Sequence, residues 1–234
     1  MKKYLIITGA SKGIGFSTAK KFLDKNWTVI NISRSLCNLP NVINIQADLL
    51  EENWDILVSN EIKKYITEKS LISLVHNSAM LEKDSVLDIK ADNFRKILEL
   101  NVIAPTILNK ICFDFFNKNS SIIYIGSTLS EKAVKNTFSY VTSKHALVGI
   151  MKATCQDLSG SGIHTACVCP GFTDTEMLRE HIGNNEEIIK SLESIICAGR
   201  LVKKEEIAEM IYFCSNNPVI NGSVIHANLG NIER

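Results

Sequence analysis

The sequence predicts a doubly wound α/β domain: a parallel sheet of about seven strands with helices on both faces. Three observations carry that expectation. Short apolar, β-branched runs alternate along the chain with longer segments of helical spacing. The runs are apolar throughout and do not alternate with polar residues, as expected of strands covered on both faces. A glycine-rich turn joins the first run to the first helical segment.

Taken in order, residues 4–8 are a short apolar run stopped by glycine, and read as the first strand. Residues 14–25 follow with Ile14, Ala19, Phe22 and Leu23 at helical spacing. Residues 28–32 and 42–45 are the second and third strands. Residues 54–69 carry a helical apolar stripe, and residues 71–76 are strand four. Residues 91–116 read as one long helix, 121–125 as strand five, 139–158 as a helix and 163–169 as strand six. A helix over 205–214 and a strand over 224–227 close the pattern. No repeat or linker-like stretch divides the chain, so residues 1–234 read as a single domain. Residues 172–199 are charged and Glu-rich, and read as a mobile helical lid over substrate. Met177, Leu178, Ile182, Ile188, Ile189 and Leu192 would give that lid an apolar underside.

Composition narrows the function classes. The 234 residues are 45% hydrophobic and 22% charged, which speaks against wholesale disorder, a collagen or a disulfide scaffold. Lys and Arg number 26 against 25 Asp and Glu, so no basic excess marks a nucleic-acid or membrane-surface partner. No apolar run approaches the ~20 residues of a membrane span. The apolar start is too short for a signal peptide and runs into glycine, not a cleavage site. Seven cysteines without a C-x-x-C pair suggest neither zinc nor a disulfide framework, and a cytoplasmic setting is expected. The five histidines show no ligand spacing, so no metal site is expected.

Thr8-Gly9-Ala10-Ser11-Lys12-Gly13-Ile14-Gly15 lies at the first strand-to-helix junction. Glycine permits positive φ and close approach of backbone to a ligand. A helix N-terminus offers unpaired N–H groups and a positive dipole end to a pyrophosphate. The T-G-x-x-x-G-x-G spacing differs from G-x-G-x-x-G, so the motif alone indicates a nucleotide site, with a dinucleotide favoured. An NAD site places an acid about 20 residues further on, for the ribose 2′-OH. Here that place holds Ser33-Arg34-Ser35, and no acid occurs between Lys25 and Ala47. Arg34, with Lys12 from the loop, suits a 2′-phosphate, so NADP(H) is expected over NAD(H). Two solvated surface cations are the alternative. Asp48-Leu49 follows strand three, where the adenine edge would lie; Asp48 also suits a helix N-cap.

Tyr140 and Lys144 are four apart and share one face of a helix. A tyrosine with a pKa near 10 is a poor acid or base at pH 7, and a nearby ammonium favours its phenolate. Ser127 ends strand five at the C-terminal edge of the sheet, where ligands of open α/β sheets bind. Its hydroxyl could hold a carbonyl oxygen while Tyr140 donates a proton. Pro105, four residues past Asn101, has no N–H, so the Asn101 carbonyl loses its helical partner. Either that carbonyl is freed to hold a water, or Pro105 only kinks the helix. Cys167 and Cys169 face one side of strand six and read as small core residues.

With these motifs in order, the chain resembles the short-chain dehydrogenase/reductases over essentially its whole length. The glycine loop, Asn77, Asn101, Ser127, Tyr140-x-x-x-Lys144, Pro170-Gly171, Thr175 and Gly199-Arg200-Leu201 carry the resemblance. It implies a Rossmann fold, a small-molecule carbonyl or alcohol substrate and a homodimer or homotetramer. It implies Tyr140 as general acid/base and Lys144 as the group that lowers the phenol pKa and binds the nicotinamide ribose. Ser127 would orient the carbonyl, and Asn101 would hold a relay water through its backbone carbonyl. Gly9, Ser11, Lys12, Gly13, Ile14, Gly15, Ser33, Arg34, Asp48, Leu49, Asn77, Ser78, Ala79, Pro170, Gly171, Thr173 and Thr175 would line the cofactor, the two threonines near the carboxamide. His76-Asn77-Ser78-Ala79 departs from the family's N-N-A-G, and His226-Ala227-Asn228-Leu229-Gly230 lacks its D-G-G. The segment from Pro170 to Met177 is similar to that of 3-oxoacyl-acyl carrier protein reductases. The resulting expectation is an NADP(H)-dependent carbonyl reductase. An NADPH sensor with little turnover is the alternative, and a sugar-nucleotide epimerase the third.

Overall fold

The computed structural model describes residues 1–231. Its elements begin with β1 (Lys3–Thr8), α1 (Gly13–Asp24), β2 (Thr28–Ser33), β3 (Val42–Gln46), α2 (Trp54–Tyr65) and β4 (Leu71–His76). Next come α3 (Ala91–Leu98), a π-helical turn (Glu99–Ile103), α4 (Ala104–Phe113), β5 (Ser121–Ile125) and α5 (Phe138–Asp157). The chain continues through β6 (His164–Pro170), β7 (Thr173–Asp174), α6 (Glu176–His181) and α7 (Glu186–Ser194). It then forms β8 (Val202–Lys203), α8 (Lys204–Asn216) and β9 (Ser223–Ala227).

Seven strands pair in parallel in the order β3-β2-β1-β4-β5-β6-β9, as the apolar runs predict. β7 and β8 form a separate two-stranded pair that the sequence pattern did not announce. Strand order reverses between β1 and β4, which opens the crevice where ligands of such sheets bind. Side chains alternate across the sheet. Tyr4 and Ile6 face a core built with Val58 and Ile62 of α2, Leu108 of α4 and Met151 of α5. Leu5 and Ile7 face the opposite core, with Ala19 and Phe22 of α1 and Ile207 and Ile211 of α8.

Two helical expectations change. Residues 91–116 are not one regular helix. A π-helical turn intervenes, in which the Ala104 N–H reaches back to the Glu99 carbonyl. Pro105 cannot supply an N–H to the regular ladder, and the register widens just before it. The 172–199 segment is helical, but Leu178, Ile182, Ile189 and Leu192 pack into a small core of their own with Ile196 and Leu201. Met177 and Ile188 are exposed, so only part of the apolar underside is available to a ligand.

His76, where the family has asparagine, is buried at the end of β4. Its Nε2 lies 2.8 Å from Asn109 Oδ1, and Asn109 Nδ2 donates to the Tyr124 hydroxyl at 2.7 Å. Burial holds the imidazole down at about 4 against an ordinary 6.5, so it is neutral in the fold. Unfolding lets it take a proton below pH 6.5, so its stabilising effect is full above that pH and is lost as pH falls toward 4. The expected loss is about 2 kcal/mol between pH 7 and 4.5. Urea unfolding at the two pH values should show H76Q losing less stability than the wild type by that amount. Equal losses would contradict the assignment.

Candidate active site

The glycine loop leaves β1 at the reversal of strand order. Gly9 and Gly13 take φ of +73° and +59°, which only glycine adopts readily. Thr8 anchors the loop to β4: its Oγ1 accepts from the amides of Asn77 at 3.0 Å and Ser78 at 2.9 Å. Asn77 Nδ2 donates to the Thr8 and Gly9 carbonyls, both at 3.0 Å. Asn77 and Ser78 therefore support the loop. Asn31 of β2 accepts from the Ala10 amide at 2.9 Å.

The N-terminus of α1 has no side-chain cap and no acid in its first turn. An uncapped helix start behind a positive-φ glycine loop fits a dinucleotide pyrophosphate. Arg34 and Lys12 follow the neighbouring strands β2 and β1. Their side chains are 74% and 57% exposed, and meet carboxylates of Asp48 at 4.0 Å and Glu180 at 3.3 Å. Contacts this exposed are weak, so both cations remain available to a phosphate. Asp48 does not cap a helix, because α2 begins at Trp54; it accepts from the Leu50 amide at 3.0 Å and caps a turn instead. The Leu49 side chain is buried in the core. Ser33 Oγ accepts from Asn31 Nδ2 at 3.0 Å and stays at the end of β2. Ser11, Ile14 and Ala79 are partly buried around the loop.

On the far side of the crevice, Pro170 ends β6 and Gly171 passes against Asn228, whose Cβ lies 2.8 Å from where a glycine Cβ would stand. Thr173 Oγ1 donates to the Gly171 carbonyl at 3.0 Å. Thr175 caps α6 by accepting the Leu178 amide at 3.3 Å. α6 lies over the glycine loop, with a Glu176 carboxylate oxygen 3.6 Å from the Cβ position of Gly13.

Beside that crevice, α5 carries Tyr140 and Lys144 to the end of β5. Lys144 is 3% exposed, and its Nζ donates to the Ile125 carbonyl at 2.7 Å. It stands 5.5 Å from the centroid of the Tyr140 ring. Burial lowers Lys144 to about 8. Burial also raises Tyr140 to about 12, opposed by a hydrogen bond with Ser127. Burial thus works against the acidification expected from the ammonium. The phenol is protonated at neutral pH, the form that donates a proton.

Ser127 caps a 3₁₀ turn, its Oγ accepting from the Leu129 amide at 3.1 Å while Ser130 Oγ accepts from the Ser127 amide at 3.1 Å. Gly126 before it admits no side chain. A Cβ there would lie 2.8 Å from both Cys167 and Cys169 sulfurs. Those two thiols are fully buried, as their core role predicts.

Asn101 sits in the π-helical turn. Its side chain exchanges hydrogen bonds with the Met80 backbone at 2.8 and 2.9 Å and donates to Ser143 Oγ at 2.9 Å. Ser143 donates in turn to the Tyr140 carbonyl at 2.8 Å. Asn101 thus braces the Tyr140 helix through a residue the sequence reading passed over. Ser143 stands three residues after Tyr140, on the same helical face, and that spacing was the available signal.

The comparisons agree with this geometry. The family model described as Enoyl-(Acyl carrier protein) reductase matches residues 9–231. The 3-oxoacyl-[acyl-carrier-protein] reductase FabG of Salmonella typhimurium is 26% identical over 242 residues, covering 97% of this chain and 96% of the relative. A short chain dehydrogenase family protein from Francisella tularensis superposes with a TM-score of 0.89 at 31% identity, covering 99% and 98% of the two chains. ElxO, solved with NADP bound, superposes with a TM-score of 0.87 at 26% identity, covering 99% of each. The chain belongs to the short-chain dehydrogenase/reductase family, oxidoreductases built on a Rossmann fold.

Proposed function

We propose that this protein is an NADP(H)-dependent carbonyl reductase, or the alcohol dehydrogenase that runs the same step in reverse. The observation that carries the reading is the assembly of Ser127, a protonated Tyr140 and a buried Lys144 at the sheet edge beside an anion-ready glycine loop. The bound dinucleotide supplies the hydride. Gly9, Gly13 and the α1 N-terminus hold its pyrophosphate, and Arg34 and Lys12 its 2′-phosphate. Ser127 holds the substrate oxygen, and Tyr140 donates the proton that neutralises it. Lys144 presents a positive charge near the phenol, and Asn101 braces the helix. 3-Oxoacyl-carrier thioesters are the favoured substrates, supported by the resemblance of the segment from Pro170 to Met177 and by the similarity to the 3-oxoacyl-[acyl-carrier-protein] reductase FabG of Salmonella typhimurium.

The test is loss of NADPH absorbance over a panel of carbonyl compounds that includes 3-oxoacyl thioesters. Turnover is expected, and NADPH binding without consumption across the panel would overturn the proposal. Fluorescence titration should show R34A binding NADPH about tenfold more weakly, with NADH affinity unchanged, as one lost charged contact of ~1.4 kcal/mol predicts. Equal weakening for both dinucleotides would refute the 2′-phosphate assignment.

A further inference from the structure

The N-terminus of α5, the helix that carries Tyr140 and Lys144, lacks a cap of its own. Its N-cap residue Thr137 uses its hydroxyl on the Val134 carbonyl at 2.9 Å, and no acid stands in the first turn. Unsatisfied N–H groups at a buried helix start are costly, and a partner is required. That partner comes from 55 residues earlier in the chain. Asp84, on the loop after β4, is 9% exposed. Its Oδ1 accepts the Ser139 amide at 3.0 Å and its Oδ2 accepts the Ser139 hydroxyl. The backbone joins in: the Asp84 carbonyl accepts the Phe138 amide, and the Asp84 amide donates to the Asn136 carbonyl, both at 3.2 Å. A buried carboxylate is expensive to desolvate, and both oxygens of this one accept from the residue preceding Tyr140.

We propose that Asp84 is a positioning residue, a cap supplied from a distant loop of the same chain that fixes the first turn of α5 and with it the place of the Tyr140 hydroxyl beside Ser127. This rests on the reductase reading for its kinetic consequence, and on the geometry alone for its structural one. The carboxylate also puts negative charge at the positive end of the helix dipole, which favours the helix start. Asn101 and Ser143 brace the same turn from the other side, through the Tyr140 carbonyl. Tyr140 is therefore held on both flanks by side chains from the loop and helices that follow β4. A loosened first turn would let the phenol swing while leaving the glycine loop, and so cofactor binding, intact. Misplacement of a reacting group by an ångström is enough to cost a large factor in rate.

The experiment compares wild type, D84A, D84N and S139A in the full chain. Amide exchange is read residue by residue, and kcat and NADPH affinity are measured with ethyl acetoacetate and with the acetoacetyl thioester of N-acetylcysteamine. In D84A the Ser139 amide should exchange at least about tenfold faster, with exchange in β1 and β6 unchanged. The kcat should fall roughly 30-fold, with the stoichiometry and affinity of NADPH binding within about twofold of wild type. Asparagine keeps an acceptor for the Ser139 amide and offers a donor to its hydroxyl, so D84N should recover kcat to within about threefold. S139A keeps the amide bond and should fall between. Unchanged Ser139 exchange in D84A, wild-type kcat in D84A, or D84N as impaired as D84A would each overturn the proposal. Should wild type turn over neither probe, the reductase reading is in difficulty, and the exchange measurement still decides the cap.

Discussion

Tyr140→Phe is expected to lower kcat for carbonyl reduction about a thousandfold while changing NADPH affinity by less than about threefold. The substitution removes one oxygen and keeps the ring, so the packing of α5 is preserved. What is lost is the proton that the reading delivers to the substrate oxygen. Burial keeps the phenol protonated at neutral pH, with Ser127 beside it. Ser127, the hydroxyl beside it, is the one the reading uses to hold the oxygen. The loss should therefore appear in kcat and not in cofactor binding. Lys144 adds a second signature. With its pKa lowered to about 8, it is charged below that pH and neutral above. Wild-type turnover is expected to decline as pH rises through about 8, as the positive charge beside the phenol is discharged. Stopped-flow NADPH absorbance across pH 6 to 10 measures both effects. Full turnover by the phenylalanine variant would assign the proton to another donor.

The parts of the site set by neighbours in sequence were legible before the fold. The glycine spacing at a strand-to-helix junction, Tyr140 and Lys144 one turn apart, and Ser127 at a strand end each depend on local geometry. The seven parallel strands were legible for the same reason, because continuous apolar runs report burial on both faces. What was not legible depends on depth or on partners far along the chain. The burial that pushes the Tyr140 phenol up is a property of the packed core, which spacing does not encode. Nothing in the sequence singles out Asp84, since its partner Ser139 is 55 residues away. The π-helical turn lies between these cases. Pro105 announced a broken ladder near Asn101, but not that the helix would widen there and aim the Asn101 side chain at Ser143.

Gly15→Ala should be the most damaging small change outside the reacting groups. A Cβ at Gly15 would stand 2.2 Å from the Gly9 carbonyl oxygen and 2.6 Å from Asn77 Nδ2. Neither neighbour can yield freely. The Gly9 amide is tied to the Ile32 carbonyl at 3.1 Å, and its carbonyl accepts from Asn77. One methyl group must therefore drive the start of α1 away from the end of β1, break the Asn77 contact, or both. Overpacking of this kind costs about 1–3 kcal/mol of stability. The same displacement turns the loop amides and the helix N-terminus away from the pyrophosphate. Losing helix-terminus contacts worth ~2 kcal/mol corresponds to roughly 30-fold weaker NADPH binding. Gly149, exposed on α5 with nothing within 4 Å of its Cβ position, is the matched control. Gly149→Ala should leave binding unchanged and raise stability by up to about 1 kcal/mol. Thermal unfolding and NADPH fluorescence titration of the two variants separate a loop-specific effect from a general cost of adding a methyl group. Wild-type NADPH affinity in Gly15→Ala would show that the cofactor is not held by this loop.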